Sequence, residues 1–182
     1  MTNAPPELTK SYDRVSIRLH WLTAGLVILL WGIAQVIDFF PRGTPRITAR
    51  SLHILLGLLL LGVLVTRVNW RIRSGTRLPP AVPGMLGRGA KLVHYALYVL
   101  VAGTLLLGLA NVWIRGDNFF GLFTVPKLAP GNHELKEAVE DLHGWAANTV
   151  LIVAGLHAAA ALVHHFALRD QVLRRMLPRR NN

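Results

Sequence analysis

The 182-residue sequence contains no cysteine and is poor in charged side chains. The lack of cysteine excludes a disulfide framework, a Cys-ligated zinc or iron–sulfur centre and a Cys nucleophile. It also excludes covalent haem attachment through a C-x-x-C-H motif. Charged residues make up 16% of the chain, against about 25% in a soluble domain, whereas 52% of the residues are hydrophobic. This composition predicts an integral membrane protein built as a single domain.

Four stretches rich in Leu, Val and Ala carry no charge, at residues 19–37, 51–66, 92–114 and 142–168. A helix needs about 20 apolar residues to cross a bilayer, and snorkelling Arg or Lys side chains at the ends extend the shorter stretches. The sequence therefore predicts an all-α fold, an integral membrane four-helix bundle. Its membrane spans are expected at about 16–38, 47–68, 90–114 and 138–168.

The basic residues are distributed unequally between the two sides of such a bundle. With four spans, both termini and the connection between the second and third spans lie on one side. That side holds 14 of the 20 Lys and Arg residues with three acidic residues, whereas the other side holds six of each. The positive-inside rule then predicts that both termini are cytoplasmic. The net charge of +11 reflects orientation, and no nucleic-acid partner is expected because no binding motif is present.

Eight histidines stand in or beside these spans, where an ionisable residue is costly and indicates function. His20 is expected near the cytoplasmic end of the first span, and His53 near the outer end of the second. His143 and His157 share the fourth span, separated by about 21 Å along the axis and on nearly the same face. Two pairs at matching depths follow: His20 with His157, and His53 with His143.

Two imidazoles that face each other across a bundle interior are typical of bis-His haem ligation. A porphyrin is wide, so the helices that hold it need small side chains where it passes. Small residues flank the proposed ligands, namely Gly57, Gly144, Gly155 and the alanines 158–161. The pattern therefore predicts two haem sites at different depths.

The remaining histidines leave alternatives open. His94 and His133 are expected to be interfacial polar residues, although His94 is also an alternative to one of the four ligands. His164 and His165 lie at the cytoplasmic end of the fourth span, where they are either solvated or line a quinone or proton site. The sequence singles out no catalytic side chain.

The motifs around these histidines resemble those of the bacterial cytochrome b561 family of short, four-helix, di-haem membrane cytochromes. They are IRLHWLT at 17–23, FFPRG at 39–43, SLHILLG at 51–57, DLHGWAAN at 141–148, GLHAAAALVHHF at 155–166 and LRRMLP at 173–178. The resemblance covers nearly the whole chain. It implies a bacterial inner membrane protein in which His20, His53, His143 and His157 bind two haems b.

The resemblance also implies an oxidoreductase that exchanges electrons between the periplasm and the quinone pool. Some members resemble superoxide oxidases, which pass electrons from superoxide to ubiquinone. We expect electrons to enter at the outer haem and to reduce ubiquinone from the inner one. The candidate quinone site lies near His164, His165 and Arg71.

Arginines near the two pairs are candidate contacts for the haem propionates. Arg50, together with Arg42 and Arg46, forms a basic cluster on the outer side that is suited to steering a small anion such as superoxide. Contact with lipid phosphate is the alternative for this cluster. On the inner side, the cations expected to contact propionates are Arg18, Arg67, Arg71 and Lys91.

Two other classes of protein remain as alternatives. One is a cytochrome b membrane-anchor subunit that passes electrons from a periplasmic dehydrogenase or hydrogenase to quinone. The short outer connections offer little surface for such a partner. The other is a histidine-lined metal transporter, which would lack the spectrum of b-type haem.

Overall fold

The computed structural model describes residues 11–177 and contains four long helices. These are α1 (Arg14–Val36), α2 (Thr44–Arg73), α3 (Gly84–Arg115) and α4 (His133–Phe166). All four are long and apolar enough to cross a membrane, and each overlaps one of the predicted spans. The all-helical membrane architecture predicted from the uncharged runs is therefore confirmed. Two short 3₁₀ turns follow α1 and α4, at Ile37–Phe39 and Arg174–Met176.

Local sequence explains where the helices begin and end. Asp13 caps α1 by accepting a hydrogen bond from the Ser16 backbone N–H at 2.9 Å, and Asn132 caps α4 in the same way through Leu135. Helix α3 ends at Arg115 and is capped by Gly116, which has a φ of 64°. A Cβ at this position would lie 2.4 Å from Cγ of Lys127, so glycine is required for both conformation and space.

The helices pack as two antiparallel pairs, α1 with α2 and α3 with α4, and α2 also contacts α3. The buried core lies at middle depth, where Leu30, Leu60, Leu64, Val101 and Val150 meet. Most of the remaining helix surface is apolar and exposed, which is the surface that a protein in a membrane presents to lipid.

We call the two ends of the bundle the hairpin end and the terminal end. The hairpin end comprises the connections 37–43 and 116–132. The terminal end comprises residues 11–13, the connection 74–83 and residues 167–177.

The hairpin end contains the one departure from the all-α prediction within residues 11–177. Strands β1 (Asn118–Phe119) and β2 (Phe123–Thr124) form a two-stranded antiparallel hairpin. The fully buried Ser51 of α2 fastens this hairpin, because its hydroxyl lies 3.1 Å from the Asn118 carbonyl oxygen and accepts from the Phe120 N–H at 2.9 Å. Strands of two residues are too short to leave an alternating pattern in the sequence.

The terminal end is fastened by Asp13. Its carboxylate accepts hydrogen bonds from the Trp70 indole at 2.9 Å and from the Thr76 backbone at 3.0 Å, in addition to those from Ser16. Burial raises the pKa of Asp13, but these hydrogen bonds outweigh burial and hold the pKa well below its usual value. A charged carboxylate therefore joins the start of α1 to the end of α2.

Candidate haem sites

The hairpin-end pair consists of His53 on α2 and His143 on α4. Their ring centroids are 6.3 Å apart and their planes are inclined by 84°. A metal held between two imidazole nitrogens, at about 2 Å from each, places the ring centroids about 6 Å apart. The two rings therefore stand at the separation that one shared metal ion requires.

The terminal-end pair consists of His20 on α1 and His157 on α4. Its ring centroids are also 6.3 Å apart, with planes inclined by 75°. The structure thus brings together both of the pairs that depth and helical phase predict. Because α4 contributes one ring to each pair, that helix sets the distance between the two sites.

A cavity of about 330 Å³ lies beside the hairpin-end pair. Its lining is mainly apolar and includes a few polar side chains, as is usual for a cofactor site. Gly57 and Gly144 both line it, and neither has a neighbour within 4 Å of where a Cβ would lie. The cavity therefore has open space beside the rings, which fits a flat macrocycle.

The backbone orients His143. Its Nδ1 lies 3.0 Å from the Thr104 carbonyl oxygen on α3, so Nδ1–H donates to that oxygen and Nε2 is left for a metal. Gly108 lies one turn further along α3, and a Cβ there would approach Cε1 of His143 to 3.1 Å. The opposing ring of His53 has a buried Nδ1 that makes no hydrogen bond within residues 11–177.

Side chains surround the terminal-end pair. Arg67 of α2 donates from Nη2 to Nδ1 of His20 at 3.0 Å, and its guanidinium lies 5.1 Å from the ring centroid of Tyr98. Arg71 instead lies over the ring of Tyr12, at 5.7 Å. Of the cations proposed for this side, Arg67 is therefore the one that touches a predicted ligand, whereas Arg18 is exposed on α1.

His94 on α3 joins the terminal-end pair. Its ring centroid is 5.1 Å from that of His157, with the planes at 71°. This separation is shorter than two rings on opposite sides of one metal require. His94 therefore lies beside His157, whereas His20 lies opposite it.

Four charged residues form a network at the hairpin end. Arg50 and Arg115 both approach Oδ1 of Asp117 to 3.5 Å, and Arg115 also pairs with Glu140 at 2.9 Å. Asp117 is buried, and burial raises its pKa although both arginines act to lower it. Arg50, proposed as a propionate contact, is thus already paired. The sequence did not indicate the other three members, which come from a loop and two further helices.

Trp31 and Asn148 form a further contact that the sequence did not indicate. Both line the cavity, and the Trp31 indole donates to Oδ1 of Asn148 at 2.9 Å. In the sequence, the only indication of this contact was a tryptophan in the middle of one span and an asparagine within another. Their bond ties α1 to α4 between the two histidine pairs.

His164 and His165 stand at the terminal end of α4. Nδ1 of His164 is hydrogen-bonded to Oδ2 of Asp170, in the segment that follows the helix. Nδ1 of His165 is buried without a hydrogen-bond partner among the described residues. His133 is exposed at the first position of α4, at the opposite end of the bundle.

Facing histidine pairs inside a four-helix membrane bundle define a class, the membrane-bound cytochromes of b type. The chain belongs to the prokaryotic cytochrome b561 family, whose model matches residues 11–179. Membership implies haem b, electron transfer and a location in a bacterial membrane, where the protein contacts lipid. The resemblance drawn from the sequence motifs is thereby confirmed.

Curated relatives match over nearly their whole length. The chain is 33% identical over 176 residues to the probable superoxide oxidase CybB of Yersinia pestis, covering 94% of this chain and 98% of the relative. It is 30% identical over 173 residues to cytochrome b561 homolog 1 of Escherichia coli K12, covering 93% and 98%. With cytochrome b561 homolog 2 of the same organism it shares 32% identity over 181 residues, covering 97% and 94%.

Proposed function

We propose that this protein is a di-haem b electron carrier that links the periplasmic side of the membrane to the quinone pool. The observation that carries the proposal is the presence of two histidine pairs, each with ring centroids 6.3 Å apart, at different depths of one bundle. Their α4 members are 14 residues apart, or about 21 Å along the helix axis. Two such sites in series span much of a bilayer core of about 30 Å.

His53 and His143 would hold one haem, and His20 and His157 the other. Each bound haem supplies a one-electron centre without an open coordination position, which favours electron transfer over oxygen binding. The Thr104 carbonyl fixes the ring plane of His143, and Arg67 holds His20 from the side. The protein therefore orients His143, whose Nδ1–H donates to a backbone carbonyl and whose Nε2 is free, before electrons arrive.

The terminal end would face the cytoplasm and the hairpin end the periplasm. Lys and Arg residues are concentrated at the terminal end, as the positive-inside rule requires. With this orientation the cavity beside His53 and His143 lies on the periplasmic side of the membrane. The hairpin-end site is then the entry point for electrons in the proposed direction.

Superoxide is the electron donor that we propose at this entry point. One relative is named a probable superoxide oxidase. In the balanced reaction two superoxide ions become two molecules of O₂, while ubiquinone takes two electrons and two protons to become ubiquinol. Superoxide is a small anion, and arginines at the hairpin end would raise its local concentration. Because Arg46 is paired with Asp38, and Arg50 and Arg115 with Asp117, Arg42 is the cation of this cluster outside those ion pairs.

A reduced-minus-oxidised spectrum and the haem-to-protein ratio test the di-haem proposal. We expect a b-type spectrum with two haems per chain, and the loss of one haem in His53→Ala or in His143→Ala. His133→Ala is the matched control, since His133 is exposed and outside both pairs. Retention of two haems by both ligand variants, or the absence of a b-type spectrum, would contradict the proposal.

Purified protein in liposomes tests the donor and the acceptor. Superoxide generated outside the vesicles should reduce ubiquinone faster than in liposomes without protein. Reduction no faster than in those protein-free liposomes would remove superoxide as the donor and leave the di-haem carrier in place. Co-purification with a large periplasmic dehydrogenase would instead favour the membrane-anchor alternative.

A further inference from the structure

The β-hairpin exposes large apolar side chains although it lies outside the four helices. Leu122 is 82% exposed and Phe123 is 58% exposed, and Phe120 at the turn is exposed as well. The rings of Phe119 and Phe123 stack, with centroids 5.1 Å apart and planes inclined by 8°. An ordered, exposed apolar patch of this kind marks a surface that contacts lipid or another protein.

The turn of the β-hairpin holds a phenylalanine in a conformation that favours glycine. Phe120 has a φ of 51°, followed by Gly121 with a φ of 78°. Two hydrogen bonds stabilise this turn, because the Phe120 N–H donates to the Ser51 hydroxyl at 2.9 Å and the Gly121 N–H donates to Oδ1 of Asn118 at 2.6 Å. Such an outlier persists only where its surroundings hold it, and it points to a use for the side chain.

The bonds to Ser51 fix the depth of the β-hairpin along the bundle. Ser51 is seven residues after Thr44, the first residue of α2, so it lies about 10 Å inside the end of that helix. It also precedes His53 by two residues, or about 3 Å along the axis, and it begins the uncharged stretch 51–66. The β-hairpin therefore lies beside the bundle where the apolar span begins, and does not project beyond the helix ends.

The charge of this segment suits the headgroup region of a bilayer. Residues 118–128 contain no acidic side chain and one cation, Lys127, which is exposed. A lysine at this depth can extend its ammonium group to lipid phosphate while its apolar neighbours enter the hydrocarbon. Aromatic side chains are also enriched at the membrane–water boundary. Apolar and aromatic residues beside a single cation therefore match that boundary better than they match water.

The apolar surface of this segment continues along the neighbouring helices. Trp113, near the end of α3, is exposed, and its carbonyl oxygen accepts from the N–H of the exposed Leu128 at 3.1 Å. On α2, Leu52 follows Ser51 directly, and both Leu52 and Leu55 are exposed. The exposed apolar surface of the helices is the one that faces lipid. This continuity favours lipid over a protein partner as the occupant of the surface of the β-hairpin.

We propose that the β-hairpin enters the boundary between headgroups and acyl chains of the leaflet at the hairpin end. Leu122 and Phe123 then contact acyl chains, and Lys127 contacts phosphate. Because the β-hairpin is bonded to Ser51, two residues before His53, this lipid contact holds the hairpin-end pair just below the membrane surface. The proposal goes beyond the proposed function and does not depend on which molecule donates electrons.

The absence of native cysteine makes a site-specific test possible. A nitroxide spin label is attached to Leu122→Cys or to Phe123→Cys in the full-length, haem-loaded protein. The protein is placed in vesicles of phosphatidylethanolamine and phosphatidylglycerol. Electron paramagnetic resonance then measures collisions of the label with oxygen, which concentrates in lipid, and with a nickel chelate, which stays in water. At both positions we expect an oxygen-to-nickel collision ratio several-fold higher than at Glu134→Cys.

Two further labelled positions calibrate the measurement. Glu134 is exposed on α4, nine residues before His143 and so about 13.5 Å further out, which makes Glu134→Cys the reference for water. Ile28 is exposed in the middle of α1, so Ile28→Cys is the reference for lipid. A ratio at the β-hairpin equal to that at Glu134→Cys would overturn the proposal.

Two other results would also overturn it. Few collisions with either reagent at the β-hairpin would show that a second copy of the chain covers this surface in place of lipid. The haem-to-protein ratio of each labelled variant checks that it has folded. Loss of haem from both Leu122→Cys and Phe123→Cys would show that these side chains pack within the protein. If one variant keeps its haem, its collision ratio decides the question.

Discussion

The two histidine pairs have the same ring separation but different surroundings. At the hairpin end, a backbone carbonyl orients His143, and a glycine gives its ring space. At the terminal end, the rings are contacted by side chains instead: Arg67 contacts His20, and His94 contacts His157. Backbone contacts persist when side chains change, whereas side-chain contacts do not. We therefore expect changes in packing to alter haem binding at the hairpin-end site, and changes in charge to alter the reduction potential at the terminal-end site.

The largest expected effect is the loss of a haem, which distinguishes the proposed ligand His157 from its neighbour His94 at the terminal end. His157→Ala should remove one haem, because His157 is the ring opposite His20. His94→Ala should keep both, because His94 is beside His157 and too close for the opposite side of a metal. The haem-to-protein ratio measures both variants. If His94→Ala lost a haem and His157→Ala did not, the assignment of the terminal-end ligands would be wrong.

The next effect tests packing at the hairpin end. In Gly108→Val, added methyl groups would press on the His143 ring, whose Cε1 is 3.1 Å from the position of a Cβ. We expect a lower haem content, with the loss confined to the hairpin-end haem, since that ring must tilt or move. The spectrum and haem content of the purified variant report this change.

Gly103→Val provides the comparison for that variant. Gly103 is also on α3, but nothing lies within 4 Å of a Cβ built there. It should load haem as the wild type does. Equal losses in the two variants would show that valine harms α3 itself, and the packing argument for the hairpin end would not stand.

A smaller effect is expected from charge at the terminal end. Arg67→Gln removes a cation bonded to His20, and a nearby cation disfavours the oxidised, more positive form of a haem. The reduction potential of the terminal-end haem should fall by about 60 mV, which is tenfold in a one-electron equilibrium. The potential of the hairpin-end haem should change less. Redox titration followed by absorbance separates the two.

Arg18→Gln is the matched control for the same titration. Arg18 is exposed on α1 and was proposed from the sequence as a propionate contact. If Arg67 is the cation that acts on this site, Arg18→Gln should leave both potentials nearly unchanged. A larger shift in Arg18→Gln than in Arg67→Gln would restore the interpretation made from the sequence alone.

The sequence predicted the features that depend on the residues of a single helix. Uncharged runs predicted the four helices, and the 14-residue spacing within α4 placed His143 and His157 on one face. It did not predict the contacts of Thr104 and Gly108 with His143, because these depend on how α3 is rotated against α4. For the same reason the sequence left the role of His94 open, between an interfacial polar residue and an alternative ligand.

Contacts between loops and helix ends that are distant in the sequence could not be predicted either. Asp117 follows α3, and it meets Arg50 only because the short β-hairpin folds back onto α2. Asp13 and Trp70 are separated by 57 residues, and their bond depends on α1 and α2 being antiparallel neighbours. The orientation of the bundle in the membrane stays a prediction that rests on the distribution of Lys and Arg.

The smallest expected effect concerns how each end is fastened. Asp13 fastens the terminal end with a charged carboxylate, whereas Ser51 fastens the hairpin end with a neutral hydroxyl. Asp13→Asn should destabilise the protein by about 1 kcal/mol near neutral pH, because hydrogen bonds to a neutral amide oxygen are weaker than those to a carboxylate. Thermal unfolding in detergent, followed by circular dichroism, measures the loss.

The contributions of Asp13 and Ser51 to stability should differ in their dependence on pH. The pKa of Asp13 is lower in the folded protein than its unfolded value of about 3.9. Its contribution is therefore fully present above about pH 4, and it is lost as the pH falls through the folded pKa. The difference between wild type and Asp13→Asn should shrink below about pH 4, whereas the difference between wild type and Ser51→Ala should stay constant, because a hydroxyl does not titrate there. A constant difference for Asp13→Asn would show that the carboxylate acts at the terminal end through its shape and hydrogen bonds, and that its charge contributes nothing.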